Sequence, residues 1–85
     1  MGLERNLKPE LAVKAYENFQ RRYPHHPEAS FTLLRSANIY RSTFLDIETA
    51  RDCYTHLIKR YPDDEWADFA REQIRQISIY EAAAV

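Results

Sequence analysis

The chain has 85 residues, of which 45% are hydrophobic and 29% charged, so it encodes one small globular domain and not a disordered segment. Its single glycine, Gly2, excludes the glycine-rich loops that cradle phosphates, and its formal net charge of −1 gives no general attraction to nucleic acid or anionic membranes. No run of residues approaches the roughly 18 apolar positions that a bilayer-spanning helix needs, and the lone Cys53 cannot form an internal disulfide, which favours a reducing compartment. We therefore expect a soluble domain in the cytoplasm.

Four amphipathic segments follow one another along the chain, each with apolar residues three or four positions apart, the spacing of an α-helix. The first two are predicted over residues 9–22 and 27–42, and each opens with a proline, whose missing N–H costs nothing in the first helical turn. The third is predicted over 46–60 with Asp46 as its N-cap, and the fourth over 64–80. The remaining residues, 1–8 and 81–85, are predicted to be tails.

The joints between these helices are only a few residues long, so consecutive helices should be antiparallel neighbours. Tyr-Pro closes the first and third helices, because a residue before proline is pushed out of the helical conformation. The predicted fold class is all-α: four antiparallel helices in one domain, residues 9–80, forming two stacked helical hairpins without a strand.

An internal repeat relates the two halves of this domain. The segment Arg22-Tyr23-Pro24 recurs 38 residues later as Arg60-Tyr61-Pro62. Other pairs at the same offset are Ala12 and Ala50, Tyr16 and Tyr54, Phe19 and Leu57, and Ala29 and Ala67. Periods of 20–50 residues indicate solenoids, whose units bury their apolar faces only by stacking. We expect Tyr54 to pack between the second and third helices, in the gap opened by Ala37 and Ala50.

The repeat resembles the tetratricopeptide repeat, a two-helix unit. The spacing of that family's second helix occurs at Ala12, Tyr16, Phe19 and Pro24, and again at Ala50, Tyr54, Leu57 and Pro62. The spacing of its first helix occurs at Leu33, Ala37 and Tyr40. The joints resemble those of divergent bacterial members, such as outer-membrane assembly and cell-division coordinator lipoproteins and the soluble repeats appended to rhomboid-type proteases. The resemblance covers about residues 10–67.

The chain departs from the family in three places. Its period is 38 residues where the family's is 34, the loop 42–45 is one residue longer than usual, and Arg71 and Arg75 stand where a large and a small apolar residue are expected. Each repeat of the family consists of a first and a second helix. The first and third helices of this chain correspond to the family's second helix, and the second and fourth to its first helix, so the helices at both ends lack a partner. Self-association or missing flanking helices would cover the apolar residues left there: Leu11, Val13, Trp66, Ile74 and Ile79.

Catalytic and metal sites are not expected. His25 and His26 are adjacent in a loop and point in different directions, so a solvated loop is the better interpretation than a metal site. Cys53 lies in mid-helix, three residues before His56, where nothing lowers the pKa of a thiol, so a core cysteine is favoured over a nucleophile. We predict no enzyme and no cofactor.

The resemblance implies that the second and fourth helices line a groove for a partner. From Ala29 to Leu45 there is no acidic residue, although Arg35 and Arg41 are both present. This charge pattern is also typical of a short solvated helix, and that simpler interpretation stays open. The residues expected to contact a peptide in the groove are Phe31, Leu34, Asn38, Arg41, Phe69, Glu72 and Gln76. The carboxylate clamp of chaperone-binding members is not expected, because it needs a lysine where this chain has Leu34.

The function predicted from the sequence is therefore a non-catalytic protein-interaction module, an adaptor or scaffold that binds a protein or peptide. The alternative is a soluble appendage of a larger membrane-associated protein, such as a rhomboid-type intramembrane protease, without direct insertion into the membrane. A homodimer through the unpaired end helices is a further expectation. Nucleic-acid binding is disfavoured, because 13 acidic residues outnumber 12 basic ones.

Overall fold

The protein is described here by a computed structural model that covers residues 8–84. Four helices follow in the order α1 (Pro9–Arg22), α2 (Ala29–Ser42), α3 (Ile47–Arg60) and α4 (Glu65–Ala84), and no strand occurs in this part of the chain. Each helix packs on the next one, and α2 also touches α4. The all-α prediction is confirmed. Between residues 8 and 84, none of the helices has the length and apolar character that crossing a membrane requires.

Helix α2 begins at Ala29, so Pro27, which is expected to open this helix, lies instead in the turn before it. The other helix boundaries agree with the predicted ones to within one residue except at the end of α4. This helix continues to Ala84, four residues beyond its expected end. Its last turns contain three consecutive alanines, the strongest helix formers, and Glu81 pairs with Arg51 of α3. The segment predicted as a C-terminal tail is therefore helical up to Ala84, whereas residues 1–7 and Val85 lie outside the described residues.

The two Tyr-Pro joints have the same backbone geometry. Tyr23 ends α1 with φ −132° and ψ 57°, and Tyr61 ends α3 with φ −129° and ψ 60°. The N–H of Tyr23 donates to the carbonyl oxygen of Phe19, and the N–H of Tyr61 donates to that of Leu57, both at 2.8 Å. The 38-residue repeat of the sequence is therefore also a repeat of the backbone.

The turn between α2 and α3 uses a left-handed residue that is not a glycine. Leu45 has φ 56° and its side chain is 76% exposed. A Cβ atom makes this conformation less favourable than it is for glycine. Asp46 then caps α3 as predicted, because its carboxylate accepts the backbone N–H of Thr49 at 3.2 Å.

The main core lies among α2, α3 and α4. Its buried members are Leu33, Leu34, Ala37, Ala50, Tyr54, Leu57, Ala67, Ala70 and Ile77. Tyr54 is 0% exposed and is the largest fully buried side chain, so its predicted place beside Ala37 and Ala50 is confirmed.

A second, smaller core joins α1 to α2. It consists of Ala12, Val13, Tyr16 and Ile39. The expectation that Val13 would lie uncovered is wrong: its side chain is 4% exposed, because α1 turns it toward Ile39 of α2. Leu11, on another side of α1, is 51% exposed.

Candidate functional site

Four of the predicted contact residues, Phe31, Asn38, Arg41 and Phe69, border the line along which α2 and α4 meet. We call the surface along this line the α2–α4 face and define it by Phe31, Asn38 and Arg41 of α2 together with Trp66, Phe69 and Gln73 of α4. These side chains are half-buried or exposed, so they are both held in place and open to a ligand.

An aromatic cluster occupies one end of this face. The rings of Phe31 and Trp66 have centroids 5.1 Å apart, and those of Trp66 and Phe69 are 6.3 Å apart. The guanidinium carbon of Arg35 lies 5.7 Å from the centroid of Phe31. Trp66 therefore joins the two predicted apolar anchors into one surface. The sequence indicates Trp66 only as an apolar residue without cover. Its contact with Phe31 joins two different helices, and local spacing does not predict such a contact.

A polar network occupies the middle of the face. The hydroxyl of Tyr54 donates to Oδ1 of Asn38, and the guanidinium of Arg41 donates to Oε1 of Gln73. Burial raises the pKa of Tyr54, while a hydrogen bond from Arg41 and its positive charge act in the opposite direction. Because the oxygen of the Asn38 carboxamide accepts from Tyr54, its nitrogen contributes two N–H donors to this surface. The network thus orients donors and positive charge, which suit carbonyl and carboxylate oxygens.

A cleft of about 320 Å³ continues the face toward the end of α2. It is lined by Arg41, Ser42, Ile47, Ile77, Tyr80 and Glu81. Tyr80 is 75% exposed and is not among the residues that the sequence predicts to contact a ligand. The available signal was its helical spacing, since Gln73 follows Phe69 by four residues and Tyr80 follows Gln73 by seven.

Leu34 and Glu72 differ from the other predicted contact residues. Leu34 is 3% exposed and belongs to the main core, so it supports the face from beneath and presents no surface to a ligand. Glu72 lies on the exposed outer side of α4, where it binds Arg75 at 2.7 Å and the side-chain nitrogen of Gln76 at 2.8 Å. The hydrogen bond from Arg75 lowers the pKa of Glu72, which keeps it ionised. Glu72 and Gln76 therefore form one polar group at the rim of the face.

Cys53 and the histidines are the candidates for catalysis or metal binding in this chain. Burial raises the pKa of Cys53 to about 11, whereas a nucleophilic cysteine needs a lowered pKa. His56 is exposed on the same helix. His26 accepts the backbone N–H of Glu28 at 3.0 Å through Nδ1. Residues 8–84 contain no group of three or more His, Cys, Asp or Glu side chains that could hold a metal ion.

Another cleft, larger than the one beside Tyr80, lies between α1 and α3. Its volume is about 450 Å³, and its lining is mostly polar or charged: Glu17, Gln20, Arg21, Pro24, Leu33, His56, Arg60 and Tyr61. Tyr61 closes its floor by donating to the carbonyl oxygen of Pro24 at 2.6 Å. The lining mixes both signs of charge and has no aromatic anchor comparable to that of the α2–α4 face.

Comparison with known proteins supports the resemblance seen in the sequence. The family model of the tetratricopeptide repeat matches residues 31–64, which comprise nearly all of α2, the whole of α3 and the joint before α4. Neither the curated proteins nor the solved structures gave a match to this chain. The matched repeat ends before Arg71 and Arg75, where the chain departs from the family pattern. Residues 31–64 thus match the tetratricopeptide repeat, a motif that generally mediates protein–protein interaction and is generally not catalytic.

Proposed function

We propose that this domain is a non-catalytic adaptor that binds an extended or helical peptide of a partner protein along the α2–α4 face. The observation that carries the proposal is the pair Phe31 and Phe69, which occupy the same position in the 38-residue repeat. Phe69 remains 46% exposed, so that part of its apolar ring faces water without a stabilising contact. Trp66 connects both rings, so together they form an apolar anchor of the kind that dominates binding energy.

The polar network specifies the chemistry of the ligand beside this anchor. Asn38 contributes N–H donors for a backbone carbonyl, and Arg41 contributes charge for a carboxylate. Because no acidic residue lies between Ala29 and Leu45, a negatively charged ligand meets no repulsion from α2. The ligand is therefore expected to pair an apolar side chain with an acidic one. The alternative, an appendage of a larger membrane-associated protein, would use the same face, and no feature of residues 8–84 favours it over an independent adaptor.

A phage-displayed peptide library, selected on the immobilised domain, tests this proposal. Enriched peptides should combine an aromatic or aliphatic residue with a nearby Asp or Glu. A hydrogen bond to a charged group is worth about 1.5–3 kcal/mol, or roughly one to two decades in affinity. The double variant Phe69→Ala/Arg41→Gln should therefore lose binding by at least that factor, after circular dichroism has shown that it folds like the parent.

The matched control is His56→Ala/Arg60→Gln, which removes one ring and one guanidinium from the cleft between α1 and α3. This variant should bind the selected peptides as the parent does. If no peptide is enriched, or if the peptides bind the Phe69→Ala/Arg41→Gln variant as tightly as the parent, the α2–α4 face is not the ligand site. Loss of binding in the control variant alone would assign the ligand to the cleft between α1 and α3.

A further inference from the structure

The first helix has fewer neighbours than its counterpart in the repeat. The 38-residue offset relates α1 to α3 and α2 to α4. Among the described helices α3 contacts both α2 and α4, whereas α1 contacts α2 alone. The α1–α2 contact corresponds to the α3–α4 contact. Among residues 8–84, the contact that α3 makes with α2 therefore has no equivalent at α1, and none of the described helices occupies the position that the repeat pattern gives on that side of α1.

That side of α1 has kept the character of a covered surface. We call it the α1 edge and define it by Leu11, Ala15 and Phe19. Their counterparts on α3 are Thr49, Cys53 and Leu57. Leu57 is 0% exposed and Cys53 packs against the main core, whereas Leu11 is 51% exposed and the other two side chains of the α1 edge are half-buried.

A shallow cleft on α2 lies where a helix that covered the α1 edge would also pack. It measures about 170 Å³ and is lined by Arg35, Asn38, Ile39, Ser42 and Thr43. Arg35 and Ile39 are the counterparts of Gln73 and Ile77, and Gln73 is the residue through which α4 binds Arg41 of α2. A helix that covered the α1 edge, placed as α2 lies on α3, would therefore also fill this cleft. Two separate surfaces thus indicate one occupant.

The opposite end of the stack has the chemistry of a solvent-facing surface. Arg71 and Arg75 of α4 are the counterparts of Leu33 and Ala37, which pack in the core. Arg71 pairs with Asp68 at 2.6 Å, and Arg75 pairs with Glu72. Polar outer faces of this kind terminate repeat arrays. Because burying these ion pairs is costly, α4 of a second copy is a poor cover for the α1 edge.

Charge identifies the occupant further. At 100° per residue, Arg22 lies in line with the α1 edge at its C-terminal end and Lys14 lies to one side of it, and both are exposed. Glu10 and Glu17 project farther from the centre of the edge than Lys14 does. The neighbouring helix α2 has no acidic residue at all. Two α1 edges packed against each other would bring like charges together, which disfavours a symmetric dimer. The complementary surface is apolar along its centre and acidic along its flanks.

We propose that the α1 edge binds an amphipathic helix with acidic flanks from a partner protein, placed on α1 as α2 is placed on α3. The internal interface supplies the expected pattern of the partner helix: a large apolar residue, a small one four positions later and an aromatic one three positions after that, as in Leu33, Ala37 and Tyr40. The α1 edge contains no residue of the α2–α4 face, and only the shallow cleft on α2 borders that face, at Asn38.

A synthetic peptide that copies Ala29–Phe44 with Arg35→Glu and Arg41→Glu is a suitable probe, because it has the required apolar pattern and negative charge. Fluorescence anisotropy of the labelled peptide should show saturable binding to the domain. The variant Leu11→Glu should weaken binding by roughly tenfold or more, since it places a carboxylate where apolar surface is buried. Ile79→Glu on α4 is the matched control, because Ile79 is 52% exposed and Leu11 is 51% exposed. This control should bind the peptide as the parent does.

A second variant of the domain, Lys14→Glu, changes only the charge beside the α1 edge and should also weaken binding. A peptide that keeps Arg35 and Arg41 should bind the parent domain less tightly than the acidic peptide does. Absence of saturable binding, or equal losses in Leu11→Glu and Ile79→Glu, would overturn the proposal. So would a dimer in light scattering that Leu11→Glu dissociates, because a second copy would then cover the edge. A helix of the expected pattern encoded directly before Met1 would overturn it as well, by making the interface intramolecular. The groove variant Phe69→Ala/Arg41→Gln should bind this peptide normally, which separates the two proposals.

Discussion

Replacement of Tyr54 is the most direct test of how the repeat is packed. The ring is 0% exposed between α2 and α3, and its hydroxyl donates to Asn38. Truncating a large buried aromatic residue to alanine costs about 3–5 kcal/mol. A domain of this size has a total stability of about 4–13 kcal/mol. Tyr54→Ala should therefore lower the melting temperature by about 12–40 °C or leave the domain unfolded at room temperature.

The variant Tyr54→Phe separates the ring from its hydroxyl. It keeps the packing and loses one hydrogen bond, which is worth about 0.5–1.5 kcal/mol. Tyr80→Ala is the control, because Tyr80 is 75% exposed and surface substitutions usually change stability by less than about 0.5 kcal/mol. Urea and thermal unfolding followed by circular dichroism measure all three. A Tyr54→Ala protein that melts within a few degrees of the parent would refute the packing described for the repeat.

Three further predictions concern the joint between α3 and α4, Cys53 and the helix α1. Asp64 accepts the hydroxyl of the buried Ser30 at 2.8 Å, so Asp64→Ala should lower the free energy of unfolding by about 1–3 kcal/mol, whereas Asp63→Ala next to it should have little effect in the same urea titration. The pKa of Cys53 is raised from 9.0 to about 11, so the folded state keeps a proton that the unfolded chain loses. Stability should therefore fall as pH rises from 9 to 11, and Cys53→Ser should abolish this part of the pH dependence. Because α1 contacts only α2, its amide hydrogens should exchange faster than those of α3, and equal protection of both helices would contradict the description of an uncovered α1 edge.

Much of the fold could be predicted because its signals are local. Prolines, cap residues and apolar spacing mark the helices, and the recurrence of Arg-Tyr-Pro reveals the repeat. Which side of a helix is covered is a tertiary property. Leu34 has the spacing of a groove residue, but α2 contacts three other helices, so this side chain is buried. Val13 is buried for a similar reason, since it packs against Ile39 of α2. The contacts of Trp66 with Phe31 and of Tyr54 with Asn38 join residues far apart in sequence, which no local pattern could show.

The two halves of the repeat differ most where their surroundings differ. Leu33 packs in the core, while its counterpart Arg71 faces water and pairs with Asp68. On the side of α4 that none of the described helices covers, ion pairs take the place of the apolar pattern. Against that background an apolar residue that stays exposed is informative, because the same chain shows that it can place charge at uncovered positions. Phe69 on the α2–α4 face and Leu11 on the α1 edge are such residues, with exposures of 46% and 51%. Both surfaces therefore have the composition of contact surfaces, and the outer side of α4 has that of a surface in water.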